Sequence, residues 1–77
     1  MKKPKVKVSE IAKVANMHFS QNSFKIMEDE NYNEIWFFFK SSVDHIAACV
    51  FASMIEQFFD YKSKIKFYSD DSPFWNI

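Results

Sequence analysis

The chain has 77 residues, ten lysines against ten acidic residues, a single cysteine, and no glycine or arginine. The lack of glycine excludes a glycine-rich phosphate loop, and a lone cysteine excludes an internal disulfide. Zero net charge without arginine argues against binding nucleic acid through bulk charge alone.

The amino-terminal lysines are not followed by an apolar run of signal-peptide length, and no stretch reaches the roughly 20 apolar residues of a membrane span. We therefore expect a soluble protein of the cytoplasm, or of the host cytoplasm if a phage encodes it. The length predicts one domain over residues 1–77. Within it, residues 1–7 are expected to form a basic, partly mobile arm, and residues 70–77 a tail that ends in apolar side chains.

The first element is predicted to be a helix over about residues 9–19. Its apolar residues follow helical spacing, and Ser9 is a candidate N-cap. The apolar positions are Val8, Ile11, Ala12, Ala15 and Phe19.

A β-hairpin is predicted next, with strands over residues 24–29 and 34–40. The turn between them, Glu30-Asn31-Tyr32-Asn33, contains asparagines, which tolerate left-handed backbone where glycine is missing. The second strand, EIWFFFK, is apolar on both of its faces, because alternate side chains point to opposite sides.

A second helix is predicted from a capping box at Ser41 and Asp44 to about Tyr61. Its apolar arc covers more than half of the circumference, wider than the stripe of an ordinary surface helix, so helix 1 or a partner is expected to contact its flank. A short connection at residues 62–63 leads to a third strand at 64–69.

The predicted order is α-β-β-α-β, a small α+β domain. Its three-stranded, mostly antiparallel sheet is packed on the long helix of the carboxyl-terminal half. Strand 3 is placed beside strand 1, and parallel pairing with strand 2 is the alternative.

Residues 8–20, VSEIAKVANMHFS, resemble the first helix and turn of the LacI-type helix-turn-helix family. That resemblance implies a basic recognition helix immediately afterwards. Residues 23–30 alternate like a strand and become acidic instead, so a DNA-reading helix is not expected.

The main candidate site is the sheet face opposite the core. Ile35, Phe37 and Phe39 are assigned to the core under helix 2, which leaves Trp36 and Phe38 on the other side. Three alternatives follow for this second face: helix 1 lies across it, it is a protein interface, or it stacks single-stranded nucleic acid. The predicted partner-binding residues, including two from the tail, are Trp36, Phe38, Tyr68, Lys66, Phe74 and Trp75.

Other groupings are weaker. His45 and Cys49 stand one helical turn apart, which is metal-ligand or nucleophile spacing, but a third ligand and an oxyanion loop are lacking. Glu28, Asp29, Glu30 and Glu34 flank the hairpin turn and are expected to be solvated. If they have a function, an acidic patch that meets a basic surface of a partner is expected. We therefore expect no metal, no cofactor and no enzymatic activity.

The sequence thus predicts a small non-enzymatic protein-binding module that docks an aromatic surface on a larger partner protein. Inhibitors and regulatory subunits, including those from phages and mobile elements, act in this way. The alternative is a nucleic-acid-binding protein that uses the same face together with five lysines. These are Lys2, Lys3, Lys5, Lys7 and Lys25. A homodimer in which Trp36 and Phe38 meet their symmetry mates is a further hypothesis.

Overall fold

A computed structural model describes residues 2–76 of the chain. It contains helix α1 (Val8–Asn16), strands β1 (Phe24–Asp29) and β2 (Glu34–Lys40), helix α2 (His45–Phe58) and strand β3 (Lys62–Tyr68). Short 3₁₀ turns precede β1 at Gln21–Ser23 and follow β3 at Pro73–Asn76. The α+β class and the α-β-β-α-β order are confirmed.

The sheet has the strand order β1-β2-β3, in which β1 pairs antiparallel and β3 pairs parallel with β2. The placement of strand 3 beside strand 1 was therefore wrong, and the sheet is mixed. The physical reason lies in the strands themselves. β2 is apolar on both faces and occupies the centre, whereas β1 exposes Met27 and Glu28 and lies at an edge.

The core lies on one side of the sheet, where β2 buries Ile35, Phe37 and Phe39 completely. Burying each such side chain stabilises the fold by about 1.5–3 kcal/mol. Helix α2 supplies a stripe at the i, i+3, i+4, i+7 positions, whose two alanines allow the helix to approach the sheet closely. The stripe consists of Ala48, Phe51, Ala52 and Ile55.

Helix α1 packs on this same side, through buried Ile11 and Ala15. Phe19, just after α1, places its ring 5.0 Å from that of Phe39 and 5.6 Å from that of Phe51. Of the alternatives left open for the second face, the one in which helix 1 covers Trp36 and Phe38 is therefore excluded. Both helices share one face, and the other face carries neither.

Helix boundaries and caps differ from the sequence prediction. Helix α1 covers Val8–Asn16 rather than about 9–19, and Ser9 lies inside it rather than at the N-cap. The capping box at Ser41 was also wrong. Asp44 itself caps α2, because its side chain accepts hydrogen bonds from the backbone N–H groups of Ile46 and Ala47.

The amino-terminal segment runs as extended backbone along the carboxyl end of α2. The backbone N–H of Asp60 donates to the Pro4 carbonyl at 2.9 Å, and the Tyr61 hydroxyl donates to the Val6 carbonyl at 2.6 Å. After α1 the chain enters a 3₁₀ turn and then β1, so the second helix that a helix-turn-helix requires does not follow.

Over residues 2–76, none of the helices has both the length and the hydropathy that crossing a bilayer requires.

Candidate protein-docking surface

The sheet side opposite the core, here called the open face, carries a strip of three aromatic rings. Trp36 and Phe38 are alternate residues of β2, and their ring centroids lie 6.0 Å apart with planes only 14° from parallel. Tyr68 of β3 continues the strip, 5.9 Å from Phe38. All three side chains are half-buried. The structure thus places these three predicted site residues side by side.

The carboxyl-terminal tail folds back over one end of this strip. The Phe74 ring lies 4.6 Å from the Tyr68 ring and 5.0 Å from the Phe38 ring. Lys25 holds it there, since its Nζ donates to the Phe74 carbonyl at 2.9 Å and lies 4.9 Å from the Phe74 ring centroid. Phe74 therefore extends the aromatic surface and covers Phe38 and Tyr68 in part.

Trp75, the next residue of the tail, packs against the end of β2 and the residue after β3. Its Nε1 donates to the Ser69 carbonyl at 2.9 Å, and Lys40 Nζ lies 5.7 Å from its ring. Ile77, the last residue of the predicted tail, is outside the described residues.

The beginning of the tail is tied to the start of the α2 connection. Ser42 donates to the Asp70 carboxylate from its backbone N–H, at 3.0 Å, and from its hydroxyl. These two hydrogen bonds hold the pKa of Asp70 below its usual range, and the bond from the Ser42 hydroxyl has the larger effect. This link fixes where the chain leaves β3 and therefore where Phe74 arrives.

Lysines flank the strip along β3. Strand pairing places Lys64 beside Trp36 and Lys66 beside Phe38, and Lys62 continues the row. We call these three exposed residues the lysine edge. Lys66 Nζ lies 5.9 Å from the Tyr68 ring centroid. Charges on an edge strand also discourage pairing with another sheet, so the row has a structural use independent of any partner.

The hairpin end of the open face is acidic. Glu34 accepts a hydrogen bond from Trp36 Nε1 at 3.1 Å. Asp29 lies opposite Glu34 in the register of β1 and β2. An open recess of about 680 Å³ lies between this end and the aromatic strip. Its rim includes Glu28, Glu30 and Met27. The open face therefore has a negative end and a positive edge around an aromatic centre.

Two lysines of the basic arm are engaged away from the aromatic strip. Lys3 donates to the Glu56 carbonyl at 2.8 Å, and Lys5 donates to Asn33 Oδ1 at 2.7 Å. Both side chains are thus engaged near the carboxyl end of α2 and at the hairpin turn. Of the lysines in the nucleic-acid hypothesis, Lys25 belongs to the open face, where its Nζ contacts Phe74.

His45 and Cys49 also lie away from the strip. The His45 ring stacks on Phe67 at 3.8 Å, and one of its ring nitrogens lies 3.1 Å from the Ser41 carbonyl. Cys49 is exposed. Within residues 2–76, no group of three or more potential metal ligands comes together.

One exposed surface was not among the predicted site residues. The outer side of α2 and the adjoining side of α1 leave large apolar side chains in solvent, with a recess between the helices. The broad apolar arc of helix 2 was the signal for it, because a helix packed on one side only has no use for such an arc.

Comparison of the chain with protein-family models, with curated proteins and with solved structures finds no match. The open face is therefore interpreted from its own geometry and charge.

Proposed function

We propose that the protein is a non-enzymatic binding module that docks its open face on a larger protein and acts by blocking or positioning that partner. The observation that supports this is the aromatic strip of Trp36, Phe38 and Tyr68, which neither helix covers. Half-buried aromatic rings at the centre of a surface are typical of the anchors that dominate protein–protein interfaces.

The charges around the strip favour a protein partner. A nucleic acid presents one sign of charge, whereas the open face offers carboxylates at Glu34 and Asp29 and ammonium groups along the lysine edge. The partner that fits has a basic or hydrogen-bond-donating group for the Trp36 end and acidic groups for the lysine edge. Such opposed charges fix the register of docking and suppress wrong partners.

Trp36 is expected to be the energetic centre. It lies at the end of the strip that Phe74 does not reach, beside the open recess. Truncation of a central interface tryptophan costs about 2 kcal/mol or more, which weakens binding by a factor of about 30.

The test is a capture from cells of the source organism, or of its host, followed by titration calorimetry with the purified partner. Trp36→Ala is expected to weaken binding at least 30-fold, and Lys64→Glu to weaken it and remove part of its salt dependence. The matched control is Ile46→Ala, an exposed apolar truncation on the helix side, which leaves affinity unchanged. Equal affinity for the wild type and Trp36→Ala would contradict the proposal.

Single-stranded nucleic acid is the second candidate, because the lysine edge runs beside stacked rings. It is less well supported, since Phe74 already occupies the stacking position on Tyr68 and Glu34 adjoins Trp36. Titration of a labelled single-stranded oligonucleotide at several salt concentrations separates the two. Nucleic-acid affinity falls with a log–log slope of about −0.7 for each phosphate contacted. A protein docking site of mixed charge gives no measurable oligonucleotide binding at physiological salt.

A further inference from the structure

The outer side of α2 carries an apolar ladder that the fold does not use. Its four residues recur at every fourth position, which places them on one ridge of the helix. Ile46 is 78% exposed, Val50 53%, Met54 46% and Phe58 55%. Across the recess, Val14 of α1 is also exposed.

A groove runs between the ladder and α1. It has a volume of about 680 Å³, and buried Ile11, Phe51 and Ile55 contribute to its lining. Among the lining residues, only Glu10 carries a carboxylate or ammonium group. This surface is therefore shaped like a slot and is almost entirely apolar.

The exposed apolar area is within the range of the largest patch that a single chain normally leaves in water. Fully exposed apolar side chains present on the order of 100–200 Å² each, the aromatic ones the most. The ladder with Val14 is more than half exposed on average, so these five residues offer on the order of 400 Å² of apolar surface. The largest apolar patch of a typical monomer is about 300–600 Å², and a standard interface buries about 800 Å² on each partner.

The ladder is complementary to itself. If two copies of α2 cross antiparallel at about 50°, the angle at which i±4n ridges align, about a two-fold axis level with Ala52, then Val50 faces Met54 of the second copy, and Ile46 faces Phe58. Every exposed apolar residue of the ladder then meets another. Glu56 is the one acidic residue in α2, and its carboxylate turns away to accept a hydrogen bond from the Ser63 backbone N–H at 2.7 Å. Helix α2 itself therefore brings no free carboxylate or ammonium group to the ladder.

We infer that the occupant of this surface is a second copy of the chain, which forms a two-fold dimer through α2. The choice of a second copy follows from the self-complementary spacing and the near absence of charge, since homodimer interfaces are the more apolar class. A domain of 77 residues also gains from the added core. The dimer contact lies on the helix side and leaves both open faces outward, unlike the dimer through Trp36 and Phe38 that the sequence allowed.

The test measures mass by sedimentation equilibrium at a chain concentration of about 100 µM, where a Kd of 10 µM still leaves most chains paired. The wild type is expected at twice the chain mass of 9.2 kDa. Val50→Lys and Met54→Asp each introduce a charge that the dimer would bury unpaired. Each variant alone is therefore expected at 9.2 kDa with an unchanged circular dichroism spectrum, because both sites are about half exposed in the single chain.

Mixing the two variants tests the register. In a mixed pair, Lys at position 50 of one chain faces Asp at position 54 of the other, while the second contact stays Val50 with Met54. We expect an equimolar mixture to recover the doubled mass. Trp36→Ala is the control and stays dimeric. If a charged variant does not fold, Ile46→Ser replaces it, with an expected rise in Kd of about tenfold.

Three outcomes overturn the inference. A wild type at 9.2 kDa shows that a different occupant, such as the helix of another protein, is needed. A doubled mass that survives both charged variants and is lost in Trp36→Ala moves the dimer to the open face. A mixture that stays monomeric contradicts the antiparallel pairing.

Discussion

At the residue scale, the turn between β1 and β2 shows what local chemistry predicts well. Asn33 has a φ of 54°, the left-handed region that asparagine tolerates better than most residues. In a chain without glycine, few residue types suit that position, so the sequence predicted an asparagine turn. It did not predict that the Asn33 side chain would also accept from Lys5 and donate to Asp60, because those partners are distant in the chain.

Tyr61 is a residue whose role the sequence missed, because it was assigned to the end of helix 2. It lies beyond α2, is buried, and donates its hydroxyl to the Val6 carbonyl at 2.6 Å. Replacement by phenylalanine leaves that carbonyl unpaired and keeps the ring. We expect Tyr61→Phe to lower the free energy of unfolding by about 1 kcal/mol at pH 7, as measured by urea denaturation.

Tyr61 also makes the free energy of unfolding depend on pH. Burial, with the nearby carboxylates of Glu28, Asp60 and Glu30, raises the pKa of Tyr61 above its usual value. The phenol therefore ionises more readily in the unfolded chain. The stability that the neutral Tyr61 phenol contributes is complete below about pH 10, and it is lost as the pH rises through the folded-state pKa.

The stability difference between the wild type and Tyr61→Phe is accordingly expected to shrink above pH 10. Tyr32→Phe, on the exposed turn, corrects for general alkaline effects. A difference that stays constant from pH 7 to pH 11 would contradict the assigned cause.

At the element scale, the strand boundaries of β1 and β2 matched the prediction, because polar turn residues flank both strands. The predicted neighbour of β3 was wrong. Strand pairing depends on how apolar the two faces of every strand are, and a single strand does not reveal this. Only the comparison of β2, apolar on both faces, with the more polar β1 identifies the central strand. Lys62 and Ser63, assigned to a connection, belong to β3 since each pairs with a residue of β2.

Helix α2 offers a test of its observed cap. Asp44 accepts two backbone N–H groups that would otherwise be unsatisfied, and loss of such a cap costs about 1 kcal/mol. We therefore expect Asp44→Ala to lower the free energy of unfolding by about that amount in chemical denaturation. Ser41→Ala is the matched control, because the described contacts of Ser41 come from its backbone. The opposite ranking of these two variants would favour the capping box.

At the scale of the whole molecule, the sequence predicted the aromatic strip but not what surrounds it. Trp36 and Phe38 could be assigned to one face from the period of two alone. That α1 joins α2 on the core side, and that Phe74 covers part of the strip, depends on contacts between distant segments. In the sequence, the ladder on α2 was only part of an excess of apolar positions. Such an excess does not distinguish residues that contact another helix from residues that stay exposed.

The two proposed surfaces lie on opposite sides of the molecule, and their combination predicts avidity. A dimer through the α2 ladder carries two outward open faces, so it can engage two copies of a partner on a dense surface. Linked binding of this kind strengthens apparent affinity by a factor of about 10² or more when the geometry permits both contacts. We expect Val50→Lys to lose this gain on a densely immobilised partner, measured by surface plasmon resonance.

In solution, Val50→Lys is expected to keep the affinity of each open face, measured by calorimetry as heat per site. Trp36→Ala, by contrast, loses affinity in both formats, because it alters the docking surface and leaves the dimer intact. The pair of variants thus separates docking from dimerisation. Equal apparent affinity of Val50→Lys and the wild type at high surface density would mean that the two open faces of a dimer do not act together, and would limit the functional unit to one chain.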